Sequence, residues 1–436
     1  MKLLMRFLLT AALLLSATAV VAQEPSGEIQ PATDTSEYVF NTLSFLIMGM
    51  VVMFMAAGFC MLEAGLVRSK NAATICLKNI AVYSVAGLMV WLVGYNLLYG
   101  VEPGGLLGRF EIWAADDANP LDDTRFAAGA DWYFQMVFVA TAASIVSGAL
   151  AERIKLWSFM IFAAVLTGVI YPIEASWAWG KGYLDAVWSF KDFAGSTVVH
   201  ATGGWAALAG ALVLGPRNGK YEGGRVHPMP GSNLPLAALG TFILWLGWFG
   251  FNGGSRLALG TIPDAIAIAG IFVNTNMAAC SGVVAAMVLT QIIYKKVDLT
   301  VVFNGAIGGL VSITAEPLAP AIWQAVIVGA FGGVIVTVAV PLLDRLKIDD
   351  VVGAIPAHLL CGVWGTLIVP WSNHDASVIG QIVGIAMVGL FVFVMSILVW
   401  LVLKYTFGIR VAPEHERLGL DRVELGLEAY PEFSKG

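Results

Sequence analysis

Two histidines, His200 and His358, sit deep in apolar stretches of a 436-residue chain. An ionisable side chain in such a setting is costly and is a functional suspect by default. An imidazole carries a proton near neutral pH, and a pair of them can also ligate a metal or a haem. No third cysteine, histidine or carboxylate stands at a ligand's spacing from either, which weighs against a metal. Both histidines belong to one pattern. Asp192-Phe-Ala-Gly195-Ser-Thr-Val-Val-His200-Ala-Thr-Gly-Gly204 and Asp350-Val-Val-Gly353-Ala-Ile-Pro-Ala-His358-Leu-Leu-Cys-Gly362 both read Asp-x-x-Gly-x-x-x-x-His-x-x-x-Gly. Asp192 can cap a helix or hold a local network, and it can also lower the energy of a nearby cation. Glu63 and Lys78 read as packing or snorkelling groups rather than parts of a pathway.

A second constellation is aromatic. Trp248-Phe249-Gly-Phe251-Asn252-Gly-Gly-Ser255 closes one apolar run, Phe134-Gln135 and Phe138 open another, and Trp177 and Trp179 close a third. Any single tryptophan reads as part of an interfacial belt. Gathered round a pore mouth, the rings can hold a desolvated cation over their faces, with Ser255 accepting a hydrogen bond. Below that mouth there is no carboxylate ring and no TVGYG-like carbonyl filter. Nothing there replaces the hydration of a permanent cation. Such a path passes a small species that enters charged and travels neutral, with imidazoles able to carry a proton.

These residues need helices of membrane length to position them. Hydrophobic residues make up 58% of the chain and charged ones 12%, against about a quarter charged in a soluble domain. Mean hydropathy is +0.80, which excludes a soluble enzyme or a disordered chain. The net charge of −6 offers no basic surface to a nucleic acid. The four cysteines lie in apolar runs without a CxxC, so no disulfide framework is expected.

A span needs about 20 apolar residues. Runs of that kind fall at 39–66, 73–100, 131–150, 157–177, 196–215, 235–252, 265–294, 301–315, 321–343, 351–371 and 377–405. The expectation is an all-α polytopic membrane protein of eleven transmembrane helices. Lys2 and Arg6 before the apolar run 7–15, and small residues up to Ala22, read as a signal peptide over 1–22. The mature N-terminus then faces outside, an odd number of spans leaves the tail 406–436 in the cytoplasm, and the transporter domain covers 23–405. Lysines and arginines crowd the proposed inner loops, as the positive-inside rule asks. The proposed outer loop 101–130 is acidic, with Glu102, Asp116, Asp117, Asp122 and Asp123, and reads as a solvated surface. On this topology the two histidine motifs run in opposite directions. That suggests a 5+5 inverted repeat, halves 39–215 and 235–371, plus one long final helix. Eight helical residues from Asp192 to His200, and from Asp350 to His358, advance about 12 Å and bring both imidazoles towards the membrane centre.

With these residues in view, the chain resembles the ammonium transporter family (Amt/Mep, related to Rhesus proteins), from about residue 40 to residue 430. The likeness is carried by Cys60-Met-Leu-Glu63-Ala-Gly-Leu-Val-Arg68-Ser-Lys-Asn71, Gly148-Ala-Leu-Ala-Glu152-Arg153, the Asp192 to His200 motif, Gly247-Trp-Phe-Gly-Phe-Asn-Gly-Gly-Ser255 and Asn304-Gly-Ala-Ile-Gly-Gly-Leu310. The resemblance implies an outer ammonium site at Trp179, Ser255 and Phe138, with Trp248 close by. It implies a phenyl gate of Phe138 and Phe251, pore imidazoles His200 and His358, and a site-supporting Asp192. It further implies a homotrimer, no cofactor, an inner-membrane location, and ammonium or ammonia as cargo with methylammonium as a candidate analogue. The resemblance implies, too, that ammonia crosses and the proton follows by a separate route, so that charge moves.

Met136-Val137 stand where some relatives carry small residues. Leu425 and Leu427 stand in the tail where many members have His and Glu. The tail is the segment through which relatives meet PII-type signalling proteins, so such a partner is an open expectation. The competing readings are an ammonium sensor signalling through the tail with little flux, a redox protein with the histidines as ligands, and a neutral gas channel.

Overall fold

The structure is a computed structural model that describes residues 34–118 and 125–433. The expected signal peptide, Asp122 and Asp123 lie outside the described residues.

Among the described residues, nine helices are long and apolar enough to cross a membrane, and two shorter apolar ones bring the segments to eleven. In chain order they are α1 (Asp34–Leu66), α2 (Ser69–Tyr99), α3 (Ala128–Ala149), α4 (Leu156–Trp188), α5 (Ser196–Leu214), α6 (Leu234–Gly254), α7 (Ile262–Tyr294), α8 (Leu299–Thr314), α9 (Ile322–Arg345), α10 (Ile355–Trp371) and α11 (Val378–Thr406). All eleven expected spans are present. The fold is all-α, and an isolated bridge between Ile154 and Arg410 is the extended pairing among the described residues.

Local chemistry sets where several helices begin. The side chains of Asn233, Thr261, Asp298 and Ser377 accept backbone N–H groups at the starts of α6, α7, α8 and α11, satisfying donors that a helix start leaves open. Helices α6 and α7 follow these caps with Pro235 and Pro263, placing proline in the first turn, where no N–H is needed. The outward faces stay apolar, with Leu239, Phe242 and Leu246 on α6 and Ile379, Ile382 and Leu390 on α11 all exposed. In a lipid setting those faces meet hydrocarbon at no cost.

The described chain starts at one end of the bundle and finishes at the other. At the starting end, Arg125 pairs with Glu37 at 2.7 Å. At the opposite end the tail folds back on the helices. Asp421 accepts the N–H groups of Ala73 and Thr74 at 3.0 and 2.7 Å, and Asn71 accepts the Leu420 N–H at 2.9 Å. The Lys70 ammonium donates to the carbonyls of Glu416 and Arg417. Beneath the tail, Arg217 grips Asp349 through Nε and Nη2 at 2.8 and 2.9 Å. Burial works against the charge on Asp349, yet the bonds from Arg217 and the positive charge of Arg153 hold its carboxyl well below the usual carboxylate range.

Candidate functional site

Helices α5 and α10 both start with a broken, π-helical turn, at Ser196–Ala201 and Ile355–Leu360, and each turn carries one of the two histidines. The cause is in the preceding loop. Asp192 accepts four backbone N–H groups, from Gly195, Ser196, Thr197 and Val198, at 2.8–3.0 Å. Asp350 does the same for Gly353 and Ile355, at 3.1 and 2.7 Å. Gly195 at φ 105° and Gly353 at φ 79° make the reversal that lets the carboxylate reach forward, a backbone region that glycine enters without strain. The eight residues from each aspartate to its histidine are therefore not all helix: 192–195 and 350–353 are loop, and the π-helical turn follows. The motif's shared Asp and Gly are the parts of one capping device used twice.

The last glycine of each motif brings the two helices together. A Cβ on Gly204 would meet Leu359 at 2.6 Å, and one on Gly362 would meet the Ser196 carbonyl at 2.3 Å. Close backbone approach of this kind is how small residues join helices in a membrane. It lets His200 and His358 meet with their Nδ1 atoms 3.2 Å apart and rings 5.3 Å apart at 30°. Both are buried, His200 completely.

Above His200 the aromatic rings form a file. Trp248 stacks on its imidazole at 5.0 Å and Phe251 at 5.2 Å. Phe251 stacks on Phe138 at 4.0 Å, and Phe138 meets Trp179 edge-on at 6.0 Å. The Trp179 indole N–H donates to the Asp192 backbone carbonyl at 2.9 Å, so the same loop that caps α5 also orients this ring. Ser255 donates its hydroxyl to the Phe251 carbonyl at 2.8 Å, which leaves the oxygen's lone pairs free to accept. Phe138, Trp179 and Ser255 line one cavity of about 600 Å³ at the starting end of the bundle, along with Phe134 and Gln135. A second cavity of about 350 Å³ opens at the tail end, lined in part by Asn304, Asp350 and Pro356.

A profile of the Ammonium Transporter Family matches residues 43–430. The chain belongs to that family. Ammonium transporter Amt2 of Archaeoglobus fulgidus is 38% identical, over 97% of this chain and 94% of its own. Among solved structures, a sensor Amt protein superposes with a TM-score of 0.85 at 35% identity, over 90% of this chain and all of its own. Mep2 of Candida albicans superposes at 0.80 with 25% identity, over 92% of each chain. The family is one of transporters rather than enzymes.

Within this family fold, the residues expected to act together divide by depth. Trp179, Ser255 and Phe138 share the cavity; Trp248 lies below it, fully buried beside His200, with its indole N–H on Thr314 at 2.8 Å. Trp177 faces away, donating to the Leu106 carbonyl and packing on Phe391. Lys78 does not snorkel: it is buried, donates to the Ser147 carbonyl at 3.0 Å and lies over the Phe159 ring. Glu63 accepts from Ser147 at 2.8 Å beside it. Two carboxylates went unread in the sequence. Glu174 on α4 is completely buried with Thr202 on one oxygen, and Asp131 on α3 stands in the cavity wall. A charge inside an apolar run was the signal for the first. Among the described residues no group of three or more potential ligands is placed to hold a metal.

Proposed function

We propose that this chain moves ammonium across a membrane by binding it as a cation, stripping its proton at the phenyl gate and passing ammonia along the histidine pair. The observation that carries this reading is the unbroken file from Trp179 through Phe138, Phe251 and His200 to His358, with ring spacings of 6.0, 4.0, 5.2 and 5.3 Å. Ammonium loses hydration as it enters the cavity. Ring faces of Phe138 and Trp179 and the Ser255 oxygen replace part of it.

Further in, the path offers phenyl rings and no carboxylate, so a cation that cannot shed its charge stops there. Ammonium can shed it. The Nδ1–Nδ1 bond needs one imidazole as donor and the other as acceptor, so the two remaining Nε2 atoms take opposite roles. His200 Nε2 has no protein partner. A row with one donor and one acceptor suits ammonia, which is both. The proton follows separately, and transport moves charge.

On the same reading the cavity end faces outside and the tail end the cytoplasm, in the inner membrane, after removal of residues 1–22. The halves 39–215 and 235–371 form the inverted repeat within the domain 23–405. The working unit is a homotrimer, and the tail 406–436 is where a PII-type protein docks. A second reading, an ammonium sensor with little flux, is favoured by the likeness to a sensor Amt protein and by a tail bonded directly to the start of α2.

Current after an ammonium jump on a solid-supported membrane, with potassium as control, separates the two. An ammonium-specific current supports transport. Binding without current moves the sensor reading to first place.

A further inference from the structure

Asp131 has hydrogen bonds but no counter-ion. Its carboxylate accepts the Tyr95 hydroxyl and, weakly at 3.5 Å, the Gln135 amide. Among the described residues no basic side chain pairs with it. Asp131 is half-buried in the wall of an open cavity, so its charge is met by water and by these two donors and by no cation.

A charge near a helix start can serve simply to balance the helix dipole. The bonds of Asp131 go elsewhere, across to Tyr95 on α2 and along α3 to Gln135. Positions 131, 135 and 138 fall four and then three residues apart, so all three share one face of α3. That face is the wall of the 600 Å³ cavity, which also holds Tyr95, Tyr99, Phe134 and Trp179. The Tyr95 and Tyr99 rings stand 5.0 Å apart, and Trp113 closes on Tyr95 at 5.7 Å. Asp116, Asp117 and Lys181 also line this cavity. A carboxylate without a counter-ion, set among aromatic rings, is the chemistry that recognises a small ammonium ion.

We propose that Asp131, with Tyr95 and Tyr99, forms a second ammonium station in the cavity, outward of Trp179, Ser255 and Phe138, that captures the ion before it reaches the gate. The station rests on the transport reading for its role but binds ammonium whether or not flux follows. Tyr95 tunes it. By donating to the carboxylate, its hydroxyl offsets part of the negative charge the ion would otherwise feel.

The test compares Asp131→Asn and Tyr95→Phe with the unaltered protein, by calorimetric titration of ammonium chloride onto purified protein and by ammonium-jump current. Asp131→Asn should raise the half-saturating concentration about tenfold at low salt while the saturating current falls less than twofold. The gap should narrow at ~0.5 M salt as charges are screened. Tyr95→Phe should shift binding the other way, towards tighter ammonium. A merely structural bond between the two residues predicts that both variants weaken binding together, and that result overturns the proposal. So does an Asp131→Asn protein with unaltered affinity. If Asp131→Asn does not assemble, the sign of the Tyr95→Phe shift decides alone. A wild-type protein that binds ammonium with Asp131-dependent affinity yet carries no current refutes transport and leaves the station standing.

Discussion

Gly204→Ala asks whether the histidine pair depends on how closely α5 and α10 approach. An added Cβ would lie 2.6 Å from both the backbone nitrogen and the Cβ of Leu359, the residue after His358. Carbon contacts are comfortable at about 3.5–4.0 Å, so the helices must part locally by about 1 Å. Backbone cannot give way as a flexible side chain would. The imidazole nitrogens already stand 3.2 Å apart, at the long end of an ordinary hydrogen bond, and about 1 Å more removes the bond altogether. Overpacking of this kind costs about 1–3 kcal/mol, and the lost bond leaves two buried imidazoles short of a partner. We expect a lower unfolding temperature in detergent, followed by tryptophan fluorescence, and an ammonium current reduced about tenfold or more. Gly362→Ala, whose Cβ would meet the Ser196 carbonyl at 2.3 Å, should be at least as damaging. A Gly204→Ala protein with wild-type stability and wild-type current would refute the idea that these glycines set the separation of the pair.

Four further outcomes can be checked. Asp192→Ala strips the side-chain acceptor from four backbone N–H groups and so loosens the loop whose backbone carbonyl holds Trp179; current should vanish, and retained current in an assembled protein would remove Asp192 from the site. His200→Asp places a carboxylate beside Phe251 and should admit potassium, read as a potassium current absent from wild type. Asp349→Asn breaks a buried, bidentate pair with Arg217 and should cost about 3–5 kcal/mol, measured by thermal unfolding. Because the folded-state value of Asp349 is depressed, its contribution is complete above the unfolded value of about 3.9 and is lost as pH falls below it; acidification from pH ~5 to ~3 should therefore destabilise wild type more than Asp349→Asn. Asp421→Ala should free the tail from the start of α2, seen as faster cleavage near Leu420 in limited proteolysis, whereas an unchanged cleavage rate would mean the other tail contacts suffice.

The eleven segments were legible because each is an apolar run, and a continuous apolar run of membrane length satisfies its backbone groups as a helix. The paired motif was legible because its Asp, Gly, His and Gly each do one job at a fixed spacing. The π-helical turns that carry the histidines were not, since they depend on where the Asp192 and Asp350 carboxylates reach rather than on residue type. Trp248 neighbours Phe251 and Ser255 in sequence, and α6 sets it 6.1 Å from Phe251 and 5.0 Å from His200, a depth that sequence adjacency does not reveal. Asp131 and Tyr95 are 36 residues apart, and Asp421 meets Thr74 across 347. No local pattern announces either contact.

The histidine pair also has a history within each molecule. His200 and His358 are 158 residues apart, and a ribosome adding ~5–20 residues per second needs roughly 10–30 s to make that stretch. During that interval α5 exists with its imidazole and its glycine surface facing no partner. The first five helices must therefore wait in the bilayer as an unfinished half whose interior is completed only by the second. On the proposed transport reading, biosynthesis of this fold is a docking of two halves, and the seam between them is the proposed conduction path.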